Sequence, residues 1–272
     1  MLPLIDSHCH WDHPRLQVLQ PELWQSCLAA GVDQLVVPAT KADQFQNQID
    51  LCVGVPHWHL ALGLHPYFCD QHKTEHLREL FFAMAVHKPV AVGEIGLDFA
   101  LDMKQEGFSQ SQQEGWFIAQ VRLAQQANLP IIVHCRKSED RLTQLLRQQK
   151  FSQGGIMHAF GGSLQQAQAL IKLGFKIGLG GSLTYDRAQA KHRLAQSLPL
   201  NNIVLETDAP DMPMAIKGAG KEANTESNKD SPNRPDYLPQ VLHKLAQLRP
   251  ESAEDIAHQI YANTLEVLRI NS

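Results

Sequence analysis

Eight short apolar runs separated by helical patterns constrain this sequence more than anything else in it. The first leads from Leu4 into Ile5, and the others span 33–38, 57–63, 89–94, 131–134, 155–158, 175–178 and 203–208. Most are continuously hydrophobic rather than alternating, which is the pattern of parallel strands covered on both faces. Between them, helical periodicity covers 21–30, 41–53, 74–87, 109–128, 137–149, 163–173 and 186–197. Gly31 and Gly174 stand where a helix end needs a left-handed residue. Two more helices are expected at 235–248 and 251–270. Eight β/α units within 272 residues predict an α/β fold, a (β/α)8 TIM barrel. It forms one parallel eight-stranded domain over 1–272 with C-terminal closing helices. An open doubly wound sheet would instead carry a glycine-rich fingerprint after its first strand, where this chain reads Ser7-His8-Cys9-His10.

No apolar run approaches the roughly 20 residues that span a bilayer. The first residues also lack a basic n-region and a cleavage site, so a cytoplasmic protein with no membrane partner is expected. The five cysteines are widely spaced with no C-x-x-C pair, which excludes a cysteine zinc module and gives no disulfide framework. A net charge of −4 without a basic stripe leaves no extended face for a polyanion, so a nucleic acid would have to be gripped locally. No protein partner is evident, and a monomer is expected. The polar stretch 217–233 reads as a mobile loop, either a solvated connector or a lid over the catalytic face of a barrel.

Several of the 14 histidines fall at strand ends. In an extended chain His8 and His10 project to one side and Cys9 to the other, so the first strand ends in two converging imidazoles. His65 follows the third strand, Glu94 the fourth, His134 the fifth, His158 the sixth and Asp208 the eighth. Each alone is an ordinary polar residue at a strand terminus, but a barrel gathers all such ends on one face. Four of these imidazoles, those of His8, His10, His134 and His158, and the two carboxylates suit two divalent metal ions. One ion is assigned to His8, His10, Glu94 and Asp208, the other to Glu94, His134 and His158. Asp6 and Glu206 share the parity of the ligands on their strands. They are expected deeper, either orienting an imidazole or serving as buried network residues.

Five segments carry a family resemblance: Asp6-Ser-His-Cys-His10, Gly93-Glu-Ile-Gly-Leu-Asp98, Val133-His-Cys-Arg136, His158-Ala-Phe160 and Glu206-Thr-Asp-Ala-Pro210. Together they resemble the TatD family of metal-dependent hydrolases, a TIM-barrel branch of the amidohydrolase superfamily. Val36–Thr40, Gly63–Pro66, Glu206–Met214 and Asn233–Pro235 resemble its YjjV-like branch, and the resemblance runs from residue 5 to about 265. It implies a divalent-metal-dependent deoxyribonuclease acting on DNA, with exonuclease action on single strands as one form. It also implies metal ligands at His8, His10, Glu94, His134, His158 and Asp208, and an arginine of the family at Arg136. The long polar 217–233 loop departs from the family pattern. The metal is Mg, Mn or Zn: imidazole ligands favour the transition metals, whereas the family typically works with Mg.

The expected chemistry is phosphodiester hydrolysis by a cation-activated water. Asp208 holds a metal, accepts the water's proton and returns it to the leaving oxygen. His65 and Arg136 hold the phosphate, Arg136 as a bidentate fork. Each has a structural alternative: an ion pair from Arg136 to Glu139 or Asp140, and a cap by His65 on the turn that Pro66 fixes. The same ligands would serve an amidohydrolase, lactonase or esterase on a small molecule. A non-catalytic binding barrel is disfavoured because no ligand position has been lost.

Overall fold

The structure is a computed structural model and describes residues 2–101, 109–215 and 232–271. The 217–233 stretch therefore lies outside the described residues except for its last two positions. The strands are β1 (Leu4–Asp6), β2 (Val32–Pro38), β3 (Trp58–Leu62), β4 (Ala91–Asp98), β5 (Ile131–Arg136), β6 (Gly155–Met157), β7 (Phe175–Leu179) and β8 (Ile203–Leu205). They form one sheet in chain order from β1 to β8, and the paired strands are parallel. Alternation with helices makes this the expected (β/α)8 barrel. The helices are α1 (Pro14–Gln17), α2 (Gln20–Ala30), α3 (Phe45–Cys52), α4 (Thr74–His87), α5 (Gln110–Ala127), α6 (Glu139–Gln148), α7 (Leu164–Ile171), α8 (Gln189–Ser197), α9 (Leu238–Leu248) and α10 (Ala253–Leu268). The short α1 was not legible in the sequence; Pro14 opens it and the His13 side chain caps it. Among the described residues no helix is long and apolar enough to cross a membrane. All five cysteines are buried, and none forms a disulfide.

Contacts divide the chain into two compact units, Met1–Val36 with Gly178–Thr264, and Val37–Ile177 with Leu265–Ser272. In the first, β1 pairs with β2 from Leu4↔Val32 to Asp6↔Leu35. β8 lies along the other side of β1, the Ser7 amide donating to the Leu205 carbonyl at 3.0 Å. Leu4, Ile5, Val32, Leu35, Val204 and Leu205 are buried, and Leu23 of α2 and Leu238, Val241 and Leu245 of α9 supply the helical cover. Helix α2 ends on Gly31 in the left-handed region (φ 89°), where a glycine carries no Cβ penalty.

In the second unit β4 is the longest strand and is buried along its whole length. Both β4 and β5 extend beyond the expected ends, because they stay paired to Gly96↔His134 and Asp98↔Arg136. That close pairing explains the glycines around Glu94. A Cβ on Gly96, which has φ of 148°, would run into the His134 carbonyl oxygen, and one on Gly63 would come within 2.7 Å of the Gly93 carbonyl carbon. Helix α5 covers these strands through Phe117, Val121 and Ala124. Its ends obey the sequence: Ser109 caps the first turn and Asn128 closes the last at φ 54°.

Candidate metal centre

The first unit assembles its polar cluster from two extended segments. Beyond β1 and β8 the chains stay hydrogen-bonded: Asp208 N donates to His8 O at 2.9 Å, and His10 N donates to Ala209 O at 2.8 Å. Asp6 fastens this pairing. One of its oxygens accepts from the amides of His8 (3.2 Å) and Thr207 (2.9 Å), and the other accepts from the Thr207 hydroxyl. Asp6 thus holds backbone rather than an imidazole. Its complete burial raises the carboxyl to about 7, against the lowering effect of those hydrogen bonds. Asp208 sits in the left-handed region at φ 59°, a conformation that Asp tolerates better than most residues. Asn233, buried, donates to the carbonyls of Thr207 (2.8 Å) and Met212 (3.1 Å) and holds the loop that carries Asp208.

The side chains then meet in a near-equilateral triangle. His8 Nε2 lies 3.3 Å from His10 Nε2, and each lies 3.5 Å from Asp208 Oδ1. Ligands about 2.0–2.1 Å from a four-coordinate cation stand about 3.3–3.4 Å apart. Two imidazole nitrogens and one carboxylate oxygen at that spacing fit a divalent ion in both geometry and donor type.

In the second unit three imidazoles gather on one carboxylate oxygen. Glu94 Oε1 lies 2.7 Å from His158 Nε2, 3.1 Å from His65 Nε2 and 3.3 Å from His134 Nδ1, and the last two imidazoles of the ligand set, His134 and His158, approach to 3.2 Å. The triangle of Glu94, His134 and His158, with edges from 2.7 to 3.3 Å, brackets the spacing of about 3.0 Å around a six-coordinate cation. His65 belongs to this cluster in space but not in chemistry. Its donor atom, with those of Glu94 and His134, falls within a 4.8 Å group. Its Nδ1, however, accepts from the Tyr67 amide at 3.0 Å, capping the 3-10 turn Pro66–Phe68. The proton is then on Nε2, which donates to Glu94 and has no lone pair for a metal. Burial pulls the His65 pKa down, more than the Glu94 charge pushes it up.

His134 is held from behind. Its Nε2 lies 3.1 Å from Asp98 Oδ2, and Arg136 reaches the same oxygen at 3.2 Å. An acceptor on the far nitrogen of a metal-binding imidazole fixes its tautomer and orientation. Burial works against charge on His134, but the hydrogen bonds to Asp98 and Glu94 outweigh it and raise the pKa. Burial likewise disfavours the Asp98 carboxylate, yet His134, the Ala100 amide and Arg136 hold its pKa below the usual range. Arg136 pairs with neither Glu139 nor Asp140, because strand register sets it opposite Asp98. Its side chain is still 60% exposed.

Two glutamines of α5 grip the strand ends beneath these residues. Gln120 accepts from Leu64 N (2.7 Å) and donates to Leu64 O (3.0 Å); Gln113 does the same with Asp98 N (2.8 Å) and Asp98 O (3.0 Å). The sequence pattern singles out neither glutamine and gives Asp98 no role. The signals were present: Asp98 shares the strand face of Glu94 four residues earlier, and the glutamines lie seven apart on the apolar stripe of α5.

A family profile described as "TatD related DNase" matches residues 5–269. The chain is 37% identical to the uncharacterized metal-dependent hydrolase YjjV of Escherichia coli K12, over 98% of both chains. It is 31% identical to the 3'-5' ssDNA/RNA exonuclease TatD of Escherichia fergusonii, over 84% of this chain and 85% of that one. The crystal structure of E. coli YjjV, a TatD homolog, superposes with a TM-score of 0.89 at 36% identity over 98% of each chain.

Proposed function

This chain belongs to the TatD-related DNase family of metal-dependent hydrolases, and we propose that it is a phosphodiesterase acting on single-stranded DNA with two divalent metal ions, working as one domain. The observation that carries this reading is the His8–His10–Asp208 triangle, whose 3.3–3.5 Å edges suit a cation better than a hydrogen-bonded cluster. His8, His10 and Asp208 hold one ion, and Glu94, His134 and His158 the other. Bound divalent ions would polarise a phosphoryl oxygen and make water nucleophilic at neutral pH.

The rest falls to the protein. Asp208, the carboxylate of its triangle, takes the water's proton and passes it to the leaving oxygen. His65, whose one N–H is engaged with Glu94, steadies that carboxylate rather than the phosphate, and Arg136, anchored by one nitrogen to Asp98, turns its remaining donors to the phosphate. The net charge of −4 favours a second reading, hydrolysis of a small ester or lactone by the same groups. The test pairs metal analysis of protein purified without chelator with hydrolysis of an end-labelled single-stranded oligonucleotide and of simple lactones and aryl esters. Metal-dependent cleavage of the oligonucleotide is expected. Turnover of lactones or esters alone would overturn the substrate and keep the ligands.

A further inference from the structure

One turn beyond His65 the second unit exposes an aromatic surface with a cation against it. Tyr67 and Phe68 lie on the 3-10 turn Pro66–Phe68, with their rings edge to face and the centroids 5.2 Å apart. Tyr67 is 54% exposed. Lys41, just past the end of β2, holds its ammonium 5.1 Å from the Phe68 centroid and only 3.5 Å from Asp43, a loose surface pair. The Phe68 ring stands 6.3 Å from His65, whose own ring is 4.5 Å from His134.

The turn itself does not call for an aromatic residue at position 67. The Tyr67 amide satisfies His65 Nδ1, and the amide of any residue but proline would do so. A large ring left in water and packed edge to face on Phe68 has the character of a binding surface, since every nucleobase offers a π-face that stacks on such rings.

We propose that Tyr67 and Phe68 form a stacking platform for an unpaired nucleobase, and that Lys41 contacts an adjoining phosphate of the same strand. This rests on the nuclease reading and adds where the strand is gripped. A platform with one lysine is a local grip, in keeping with a chain of net charge −4.

The test measures binding by fluorescence anisotropy in chelator, so that no cleavage intervenes, using a labelled oligothymidylate and an abasic strand of equal length. Tyr67→Ala should weaken oligothymidylate binding on the order of tenfold and leave the abasic strand unchanged, while Tyr67→Phe should bind like wild type. Lys41→Ala should weaken both strands alike and reduce the slope of log Kd against log salt by about 0.7. Equal binding of the two strands by wild type, or an unchanged oligothymidylate Kd in Tyr67→Ala, overturns the platform. Wild type that shows the Tyr67-dependent binding but cleaves nothing once metal is restored keeps the platform and sinks the nuclease reading. Wild type that binds neither strand overturns the platform, and cleavage of the oligonucleotide once metal is restored would then leave the nuclease reading standing.

Discussion

In the first unit His8, His10 and Asp208 ride on backbone that is hydrogen-bonded to backbone, the extension of β1 to that of β8, with Asp6 across the join. In the second unit Glu94, His65, His134 and His158 hold one another, and α5 glutamines grip the strand ends below. The carboxylate edges of the first triangle are 3.5 Å, longer than the roughly 2.7–2.9 Å of a charge-assisted hydrogen bond. The second contains such a bond, His158 to Glu94 at 2.7 Å. One cluster therefore takes its shape from the main chain and the other from its own side chains. The first should tolerate a change of side-chain charge without rearranging. The second should respond as a network.

The largest expected effect tests the first half of that contrast. Asp208→Asn keeps the side-chain shape and one oxygen but removes the basicity. Because the His8 and Ala209 main-chain bonds remain, thermal unfolding should barely move. Metal-saturated turnover should fall by about 10²–10⁴-fold, the usual contribution of a positioned acid–base group. Turnover within about threefold of wild type would take Asp208 out of the chemistry. A large loss of thermal stability would show that the triangle, not the backbone, holds this region.

Asp98→Asn tests the second half. The acceptor behind His134 loses its charge, and Arg136 loses its partner. Metal affinity read by titration should drop about 10–100-fold, the usual cost of losing such an acceptor, with the folded state retained. Unchanged affinity would mean that Glu94 and His158 orient His134 unaided.

How far the sequence could be read follows the same division. Apolar runs and helix ends foretold each strand and most helix boundaries to within a few residues, since burial and capping are local in their sequence marks. The residues gathered in each cluster were legible because they sit at strand ends. Their supports were legible only in part. Parity singles out Asp6, but its partner Thr207 is 201 residues away, and nothing in the local pattern says that it holds an amide rather than a ring. The local sequence offers Arg136 the acids three and four residues on, whereas its partner comes from strand register. Gln113 and Gln120 look like ordinary polar residues until the helix face is known.

Gln120→Ala breaks the support of the second unit directly. It leaves the buried amide and carbonyl of Leu64 without the bonds that Gln120 makes, at a cost of about 1–3 kcal/mol for each group left unsatisfied. A lower urea midpoint is expected, together with a weakened His65–Glu94 contact because Leu64 precedes His65. An unchanged midpoint would show that water replaces the amide at no cost.

The smallest effect is the pH dependence contributed by one histidine of the second unit. His72 donates from Nε2 to the His65 carbonyl at 2.9 Å and packs edge-on against Trp116, with rings 5.4 Å apart. Burial is the main reason its pKa falls to about 4; the nearby His65 and His76 lower it further, and the bonded carbonyl and Asp70 only partly oppose them. The unfolded chain takes up this proton near 6.5, so between about pH 6.5 and 4 the unfolded state binds a proton that the folded state refuses. The stabilising contribution is complete above about pH 6.5 and is lost as pH falls toward 4. His72→Gln retains a donor for the carbonyl and removes the titration. In chelator, the urea midpoint of wild type should therefore fall more between pH 7 and pH 5 than that of the variant. His59, also lowered to about 4 by burial, and Asp6, raised to about 7, titrate in both proteins alike and cancel in the comparison. Equal declines in the two proteins would show that the folded state lets His72 charge, and would remove this acid sensitivity from the turn that carries His65.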